Sequence, residues 1–365
     1  MARNNLLAVQ TDKPIPATDG PLSSVLLRWY DFHKRDLPWR YSPGSVPDPY
    51  AVWLSEVMLQ QTTVTVVKGF FSRFIDRWPT VSSLASAPLD EVLREWAGLG
   101  YYARARNLHK CAQEVVSRFG AVFPQTKGQL QSLPGIGEYT AGAIAAIAFN
   151  QPEAAVDGNV ERVVSRLFAV QVPLPESKSY LKALTERLVP SERPGDFAQA
   201  LMDLGSTICS PRRPTCLICP LAHACKGRAL NIAATLPLKR AKSTKPVREG
   251  VAFLVVTEDS HVLLRRRAEK GLLGGMMEVP STPWSTLRQD NPKKFAPLTG
   301  SWVSGNTSVE HTFTHFHLRL QLWQLTIIET EPISGDDYRW VSRSEIHLEA
   351  LPTLMRKILD KALWP

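Results

Sequence analysis

Four closely spaced cysteines place the strongest constraint on how this chain can fold. They follow the pattern C-x6-C-x2-C-x5-C and are Cys209, Cys216, Cys219 and Cys225. Four thiolates in so short a segment can hold a zinc ion or a 4Fe-4S cluster, and sulfur ligands alone do not distinguish the two. Either centre would close this segment into one small loop. The remaining cysteine, Cys111, lies in an apolar helical stretch and is expected to be a buried small side chain.

The charge of the chain favours a nucleic acid as its partner. Its 365 residues carry a net charge of +9, and the pI is about 9.4. A positive surplus of this size attracts polyanions. Inside the cysteine segment, Arg212 and Arg213 are expected to face a DNA phosphate.

Two observations argue against secretion and against a membrane. The start of the chain, "MARNNLLAVQTDKPIP", lacks the cationic flank and long apolar run of a secretory signal. The apolar run "AGAIAAIAF" is too short to cross a bilayer. We therefore expect an intracellular protein with no membrane partner, in which the clustered cysteines bind metal rather than form disulfides.

The spacing of apolar residues predicts several domains of different fold class. We predict a flexible tail over 1–20 and an all-α domain over 21–228, because apolar residues there recur at three and four. Examples are "VWLSEVMLQQTTVTVVKGFFSRFIDRW" and "VERVVSRLF". A basic linker is expected over 229–248 and an α+β domain over 249–365, where "VAFLVVTEDSHVLLRRR" predicts two strands around Glu258–Ser260. "FTHFHLRLQLWQLTII" alternates like a strand, and "ALPTLMRKILDKALW" indicates an amphipathic helix.

The segment "LPGIGEYTAG" predicts a turn that can grip a phosphate. Gly135 and Gly137 allow close approach of the backbone, and the helix expected to follow offers N–H groups and a dipole to an anion. With a helix around "TKGQLQSL", this is a helix–hairpin–helix that binds a DNA phosphate without reading bases. The alternative is an ordinary tight turn that caps a helix.

Two acidic residues are candidates for acid–base chemistry. Glu56 lies among apolar residues in "VWLSEVMLQQT", and burial there would favour its protonated form and suit a general acid. Asp157 opens "DGNVERVVSRLF", where helix N–H groups favour its anion. Such a pair suits cleavage of a glycosidic bond. The alternatives are an exposed glutamate at the edge of the stripe and a plain N-cap aspartate.

With these motifs, the chain resembles the MutY-type adenine DNA glycosylases of the endonuclease III superfamily. The resemblance is carried by "DLPWR", "SEVMLQQT", "GLGYYARARNLH", "LPGIGEYTAGAI" and "AVDGNV", and it covers about two thirds of the chain. It implies a six-helix barrel beside a module that holds a 4Fe-4S cluster on the four cysteines. It also implies base excision repair of double-stranded DNA, with removal of adenine paired with 8-oxoguanine or guanine.

The resemblance assigns roles to individual residues. Glu56 would protonate the flipped adenine and Asp157 would stabilise the sugar cation, with Tyr139 and Asn159 assisting. The adenine pocket would be lined by Trp39, Arg40, Leu59 and Gln199. The gap in the duplex and the opposing base would be contacted by Gln61, Thr62, Leu99 and Tyr101. Flipping the nucleotide costs a few kcal/mol, which these contacts must offset.

Tyr139 distinguishes two reactions. Relatives that also cut the strand carry a lysine at this position, whose amine forms a Schiff base with the sugar. Tyrosine has no such amine, so the resemblance implies a monofunctional glycosylase that leaves an abasic site. A bifunctional lyase and a non-catalytic lesion binder are the competing hypotheses. Tyr139 could also be only a packing residue.

The last third is similar to a Nudix-like lesion-recognition domain, chiefly through "EHTFTHFHL". Its element Phe313, Thr314 and His315 would read 8-oxoguanine, with threonine where serine is common. "GLLGGMMEVPSTPW" offers only Glu278 in place of a metal-binding glutamate cluster, which disfavours pyrophosphate hydrolysis. Alternatively, His315 and His317 face water on a strand. We expect a monomer located in the bacterial cytoplasm at the nucleoid, or in the nucleus of a eukaryote.

Overall fold

The structure is a computed structural model, and it describes residues 21–42, 45–240, 244–287, 289–333, 335 and 337–364, apart from the side chains of 305 and 306. The tail predicted over 1–20 lies outside the described residues. No helix of the described part is long and apolar enough to cross a membrane.

Helices occupy most of the chain before residue 230. In chain order they are α1 (Leu22–His33), α2 (Pro49–Leu59), α3 (Val64–Arg77), α4 (Val81–Ser86), α5 (Leu89–Glu95), α6 (Ala103–Phe119), α7 (Lys127–Gln131), α8 (Glu138–Phe149), α9 (Gly158–Leu167), α10 (Lys178–Glu186), α11 (Pro194–Thr207) and α12 (Lys226–Ala229). Short 3-10 helices span Cys216–Ile218 and Ala233–Thr235. The all-α prediction for this region is confirmed.

The rest of the described chain forms a mixed sheet and a final helix. Its elements are β1 (Val247–Thr257), β2 (His261–Arg266), β3 (Met277–Glu278), β4 (Val303–Thr312), β5 (His317–Ile327), β6 (Tyr338–Ser342) and α13 (Thr353–Leu359). Two further 3-10 helices span Pro292–Phe295 and Ile346–Leu348. The strand order is β3-β2-β1-β5-β4, with β6 also paired to β2. This confirms the α+β prediction.

The chain divides into two compact units. The first consists of the described residues up to 48 together with 125–127 and 138–240; the second consists of 49–124, 128–137 and the described residues from 244 onward. This division groups α2–α6 with the sheet. The predicted boundaries at residues 228 and 248 remain a prediction.

The first unit is built on a helical core centred on α9 and α11. The valine stripe of α9 is buried at Val160, Val163 and Val164, whereas Phe168 is half-buried and caps the helix. Helix α8 packs closely on α11, because a Cβ on Gly195 would lie 2.5 Å from the carbonyl oxygen of Ala146. Small residues therefore bring these two helix backbones together.

The core of the sheet explains why β1 is apolar over residues 251–256. Strand β1 pairs in parallel with β5 and antiparallel with β2. Ala252, Leu254 and Val256 face one core, on which α13 packs, while Val255 faces a second, smaller core. A central strand that is covered on both sides reads as a continuous apolar run.

The predicted strand around the C-terminal histidines begins later than expected. Strand β4 ends at Thr312 and β5 begins at His317, so residues 313–316 form the turn between them. The turn is closed by the N–H of Phe313, which donates to the carbonyl oxygen of Phe316 at 2.9 Å. The alternation of apolar and polar residues gives no sign of this hydrogen bond. For that reason the sequence prediction extended the strand through the turn.

Candidate functional site

Glu56 lies on a helix that is buried along nearly its whole length. Residues Tyr50 to Met58 of α2 are all buried, and Glu56 is only 6% exposed. The alternative of an exposed glutamate is therefore wrong. Removal of water from a carboxylate disfavours its charged form, which is the condition required of a proton donor.

The helical run that follows Glu56 is interrupted at residues predicted to touch the duplex. Helix α2 ends at Leu59 and α3 begins at Val64, although the apolar spacing continues across the break. Gln61 has a φ of 60° and Tyr101 a φ of 49°, both in the left-handed region that non-glycine residues rarely adopt. Such a conformation costs about 1–3 kcal/mol, and strained residues of this kind cluster at functional sites.

Arg104 holds both strained segments. Its guanidinium donates to the carbonyl oxygens of Leu99 and Gly100 at 3.0 and 3.2 Å and to Thr62 Oγ1 at 3.0 Å. It also donates to the carbonyl oxygens of Val57 and Met58 at the end of α2, each at 2.9 Å. Burial lowers the pKa of Arg104 to about 10, so the side chain remains charged at neutral pH.

A hydrogen bond joins the segment between α5 and α6 to the turn over 313–316. The Tyr101 hydroxyl lies 2.8 Å from Thr314 Oγ1, and Tyr101 is 51% exposed. Both residues line a cavity of about 880 Å³ together with Gln61, Phe313 and His315. The structure therefore brings these five predicted residues to one cavity within the second unit.

Aromatic contacts set the shape of the turn over 313–316. The Phe313 ring packs on His311, Phe316 and Trp284, with centroids 4.6, 4.8 and 5.8 Å away. Lys245 Nζ donates to the carbonyl oxygen of Phe313 at 2.7 Å. Thr314 and His315 are left exposed at the tip. The alternative of a strand histidine facing water is wrong for His315, which lies in the turn.

The turn at Gly135 also belongs to the second unit. Gly135 has a φ of 76°, and a Cβ there would lie 2.7 Å from Asn107 Cβ. A Cβ on Gly137 would meet no atom within 4 Å, and α8 begins at the next residue. The helix prediction on both sides of the turn is confirmed by α7 and α8.

Asp157 is the N-cap of α9 in the first unit. Its Oδ1 accepts hydrogen bonds from the N–H groups of Asn159 and Val160 at 2.9 and 2.8 Å, and its Oδ2 accepts one from Asn159 Nδ2 at 2.8 Å. Three donors hold this carboxylate in a fixed orientation. The plain N-cap reading is thus correct for the backbone contacts, and the Asn159 side chain adds a contact that capping does not require.

Arg162 connects this acid to the cysteine segment. Its Nη2 donates to Asn159 Oδ1 at 2.8 Å and to the carbonyl oxygen of Gly205 at 2.7 Å. Its Nε donates to the carbonyl oxygen of Cys209 at 2.8 Å. One guanidinium therefore fixes the Asp157–Asn159 pair relative to the start of the cysteine loop.

The four cysteines line one small cavity. All four are half-buried and surround a space of about 30 Å³. Burial, together with the other nearby thiols, raises the pKa of Cys219 to about 11 and raises that of Cys225. Within the described residues, no group of three or more His, Cys, Asp or Glu side chains is arranged to hold a metal ion.

Arg166, a residue that the sequence reasoning missed, holds the cysteine loop. It is only 1% exposed, and it donates to Cys209 Sγ at 3.3 Å and to the carbonyl oxygens of Ser210 and Pro211 at 2.8 and 3.0 Å. Arg212 and Arg213 are exposed on that loop. Cys111 is fully buried on α6, as predicted.

The remaining predicted residues of the first unit are largely buried. Trp39 is 5% and Gln199 9% exposed, and Tyr139 is half-buried against the helical core. Arg40 Nη2 donates to the buried Asp203 at 3.0 Å, and its Nη1 donates to the Tyr30 hydroxyl at 2.6 Å. Its guanidinium is therefore held by an ion pair within the unit.

The missed arginines share one signal in the sequence. Arg162 and Arg166 are four residues apart on α9, so they extend from the same face. Arg104 follows the strained Tyr101 by three residues and lies in the first turn of α6. A basic residue among apolar neighbours indicates a buried partner. The partners here are backbone carbonyl groups, and a sequence pattern does not show which carbonyl groups an arginine will bind.

Comparison with known proteins identifies the class of protein to which this fold belongs. Residues 54–191 match the family model described as HhH-GPD superfamily base excision DNA repair protein, and residues 251–361 match that of the NUDIX domain. The solved structure of a thermostable thymine-DNA glycosylase superposes with a TM-score of 0.51 at 30% identity, covering 57% of this chain and 95% of that one. The fold and its site therefore define a DNA glycosylase of base excision repair.

Curated relatives narrow the class further. The human adenine DNA glycosylase is 37% identical over 91% of this chain and 72% of its own length. The adenine DNA glycosylase of Buchnera aphidicola subsp. Baizongia pistaciae is 30% identical over 92% of this chain and 95% of its own. The chain belongs to the adenine DNA glycosylase family. The resemblance inferred from the motifs is thereby confirmed.

Proposed function

We propose that this enzyme hydrolyses the N-glycosidic bond of adenine paired with 8-oxoguanine or guanine in double-stranded DNA, and that it leaves an abasic site. The observation that carries the proposal is the contrast between two carboxyl groups. Glu56 is 6% exposed on an apolar helix, whereas Asp157 accepts three hydrogen bonds. We assign the role of proton donor to the buried acid and that of stabilising the sugar to the hydrogen-bonded one, and glycosidic cleavage needs both roles.

The reaction follows from these two environments. Glu56 donates a proton to a ring nitrogen of the extrahelical adenine, which turns the base into a neutral leaving group. As the bond to the sugar breaks, positive charge develops on the sugar, and the Asp157 carboxylate stabilises it. A water molecule then adds to C1′ of the sugar and releases a proton to solvent, which gives the abasic site. Asn159 orients that carboxylate through its Nδ2 hydrogen bond of 2.8 Å. We propose that Trp39, Arg40, Leu59 and Gln199 enclose the base.

We further propose that the enzyme does not cut the strand by lyase chemistry. Tyr139 occupies the first turn of α8 and offers no amine. Lys182 forms an ion pair with Glu138, the first residue of α8, and this contact raises the pKa of the lysine. A protonated ammonium is not a nucleophile, so Lys182 is unsuited to Schiff-base formation.

The turn over 313–316 is proposed to recognise the base opposite adenine. The hydrogen bond of 2.8 Å between Tyr101 and Thr314 connects the residue proposed to enter the duplex with the tip of that turn. A purine lesion fits a cavity of the size found there, since small-molecule sites span about 300–1,000 Å³. The Thr314 hydroxyl can exchange its bond to Tyr101 for one to the lesion.

The four cysteines are proposed to hold a 4Fe-4S cluster. They fit the group because all four line one cavity that no other acidic or histidine side chain lines. Four thiolates can hold either a 4Fe-4S cluster or zinc, and the resemblance of the chain to MutY-type glycosylases favours the cluster. Such a cluster would hold this loop closed, and Arg212 and Arg213 on the loop are proposed to bind phosphates. Visible absorption that disappears with Cys216→Ser is the expected evidence.

A duplex with a single adenine opposite 8-oxoguanine tests the proposal. The expected products are free adenine and an intact strand that breaks only after treatment with alkali. Immediate strand cleavage would establish a lyase, and binding without release of adenine would establish a lesion binder. Either result overturns the proposed reaction.

The variant Glu56→Gln tests the proton donor. We expect release of adenine under single-turnover conditions to fall at least about a hundredfold, because general acid catalysis typically contributes that much. Duplex affinity should be retained. Glu114→Gln, on α6 and paired with Arg118 at the surface, is the matched control and should keep full activity. Unchanged turnover of Glu56→Gln would remove the acid assignment.

The DNA substrate implies where the enzyme works. We propose that it acts as a monomer on chromosomal DNA, in the bacterial cytoplasm or in the eukaryotic nucleus. We also propose three segments, because the chain changes from helices to a sheet. They are a helical catalytic domain to residue 228, a basic linker to 248 and a recognition domain beyond it.

A further inference from the structure

Lys245 lies at the end of the basic segment before β1 and is bound to the turn over 313–316. Its Nζ donates to the carbonyl oxygen of Phe313, the first residue of the turn, at 2.7 Å. The carbonyl oxygen of the next residue, Pro246, accepts a hydrogen bond of 2.9 Å from the N–H of His317, which begins β5 directly after the turn. Two consecutive residues of the segment are therefore attached to the two ends of the turn.

The register of the sheet sets the position of Lys245. Strand β1 pairs in parallel with β5 from its first residue, so that Val247 lies opposite His317. Lys245 precedes this pair by two residues, and the sheet therefore fixes the backbone from which its side chain extends. Only the flexible stem of the lysine has to be ordered to keep the ammonium at the Phe313 carbonyl, which reduces the entropic cost of the contact.

The contact fixes the peptide group that leads to the tip of the turn. Phe313 is bonded through both of its backbone groups, because its N–H donates to the carbonyl oxygen of Phe316 at 2.9 Å and its carbonyl accepts from Lys245. The Phe313 carbonyl lies in the same planar unit as the N–H of Thr314. A hydrogen bond to this oxygen therefore fixes the backbone from which the exposed Thr314 side chain extends.

Lys245 also lines the cavity of about 880 Å³ that Tyr101 and Thr314 share. Two arginines line the same cavity, and both use their guanidinium groups to hold backbone: Arg104 donates to the carbonyl oxygen of Leu99 at 3.0 Å, and Arg106 donates to that of Gly274. Lys245 makes the corresponding contact on the side of the turn. Basic side chains bound to backbone carbonyls thus hold the cavity wall at each of these segments.

We propose, on the basis of the role proposed above for the turn over 313–316, that Lys245 is a positioning residue for recognition of the base opposite adenine. Its ammonium holds the peptide between Phe313 and Thr314, and thereby keeps the Thr314 hydroxyl at the cavity beside Tyr101. Without the ammonium, the Phe313 carbonyl loses its donor and the hydroxyl loses its fixed position. Recognition of 8-oxoguanine therefore depends on a lysine that belongs to the basic segment.

Single-turnover excision of adenine opposite 8-oxoguanine or opposite guanine tests this role. Lys245→Met keeps a stem of similar length and removes the donor. We expect its rate with 8-oxoguanine to fall about tenfold, the loss expected for one hydrogen bond from a charged donor. The rate with guanine, which lacks the 8-oxo group, should change much less. Lys245→Arg keeps a charged donor and should restore most of the rate with 8-oxoguanine.

The matched control is Lys361→Met. Lys361 Nζ also donates to a carbonyl oxygen of this sheet, that of Ser308 at 2.8 Å, but Ser308 lies within β4 and outside the turn. This variant should leave both rates unchanged. Lys245 is exposed, so Lys245→Met should unfold at the same temperature as the wild type, and a change of rate then reports on the turn and not on the fold.

Thr314→Ala separates the role of Lys245 from that of the turn. If Thr314→Ala lowers the rate with 8-oxoguanine and Lys245→Met does not, the role of Lys245 is overturned and that of the turn stands. If neither variant lowers it, the recognition proposed for the turn fails as well. Equal losses of Lys245→Met with both duplexes also overturn the positioning role, and weaker binding to undamaged DNA would then assign Lys245 to a phosphate contact.

Discussion

At the scale of single residues, charged side chains that bind backbone carbonyls organise the site. Arg104 binds the carbonyl groups of two neighbouring segments, and Arg166 does the same for the cysteine loop. A guanidinium has five donors in a fixed geometry, so one side chain can fix several loop residues at once. The segments that would enter the duplex therefore need little regular structure of their own.

Replacement of Arg104 by alanine should destabilise the protein by about 3 kcal/mol, because buried carbonyl groups lose their donors and Gln61 and Tyr101 lose the contacts that hold their backbone. Denaturant unfolding measures this change. Arg118→Ala removes an exposed arginine of α6 that pairs with Glu114 and should cost under about 1 kcal/mol. Equal losses for the two variants would contradict the role given to Arg104.

At the scale of elements, the turn between α7 and α8 depends on one of its two glycines. Gly135 combines a φ of 76° with a close neighbour, whereas a Cβ on Gly137 would meet nothing within 4 Å. The sequence treats the two glycines alike. The neighbour that separates them, Asn107, comes from a different helix.

Gly135→Ala should therefore lower the free energy of unfolding by about 1–3 kcal/mol, since alanine disfavours this backbone conformation and its Cβ would collide with Asn107. Thermal unfolding provides the measurement. Gly137→Ala is the matched control and should unfold close to the wild type. If both variants are equally stable, the turn is not constrained in the way described.

At the scale of the whole molecule, a net charge of +9 implies that affinity for DNA depends strongly on salt. Each phosphate contact releases counterions, so a protein with six to ten contacts loses about a thousandfold or more in affinity between about 50 and 200 mM salt. We expect a fall of that order for binding to undamaged duplex, measured by fluorescence anisotropy. Release of adenine at saturating enzyme should change much less. A nearly flat salt dependence would show that charge contributes little to binding.

The sequence by itself determined the kinds of elements and the chemistry they could carry. Helical spacing before residue 228 and strand alternation after 248 follow from local periodicity, and the turn of β1 and β2 at Glu258–Ser260 was placed correctly. The four cysteines and the motif residues could also be recognised from the sequence, because their identity and spacing are local properties. The burial of Glu56 was not, since periodicity alone left it at the edge of the apolar stripe.

Only the tertiary structure decided which side chains meet. The break between α2 and α3 lies inside a run with helical spacing, and it is held by Arg104 from α6. The contact between Tyr101 and Thr314 joins residues more than two hundred positions apart. Arg248 of β1 and Arg265 of β2 line one cavity together with Glu278. Long-range contacts of this kind depend on the packing of whole elements, and no local pattern in a sequence records them.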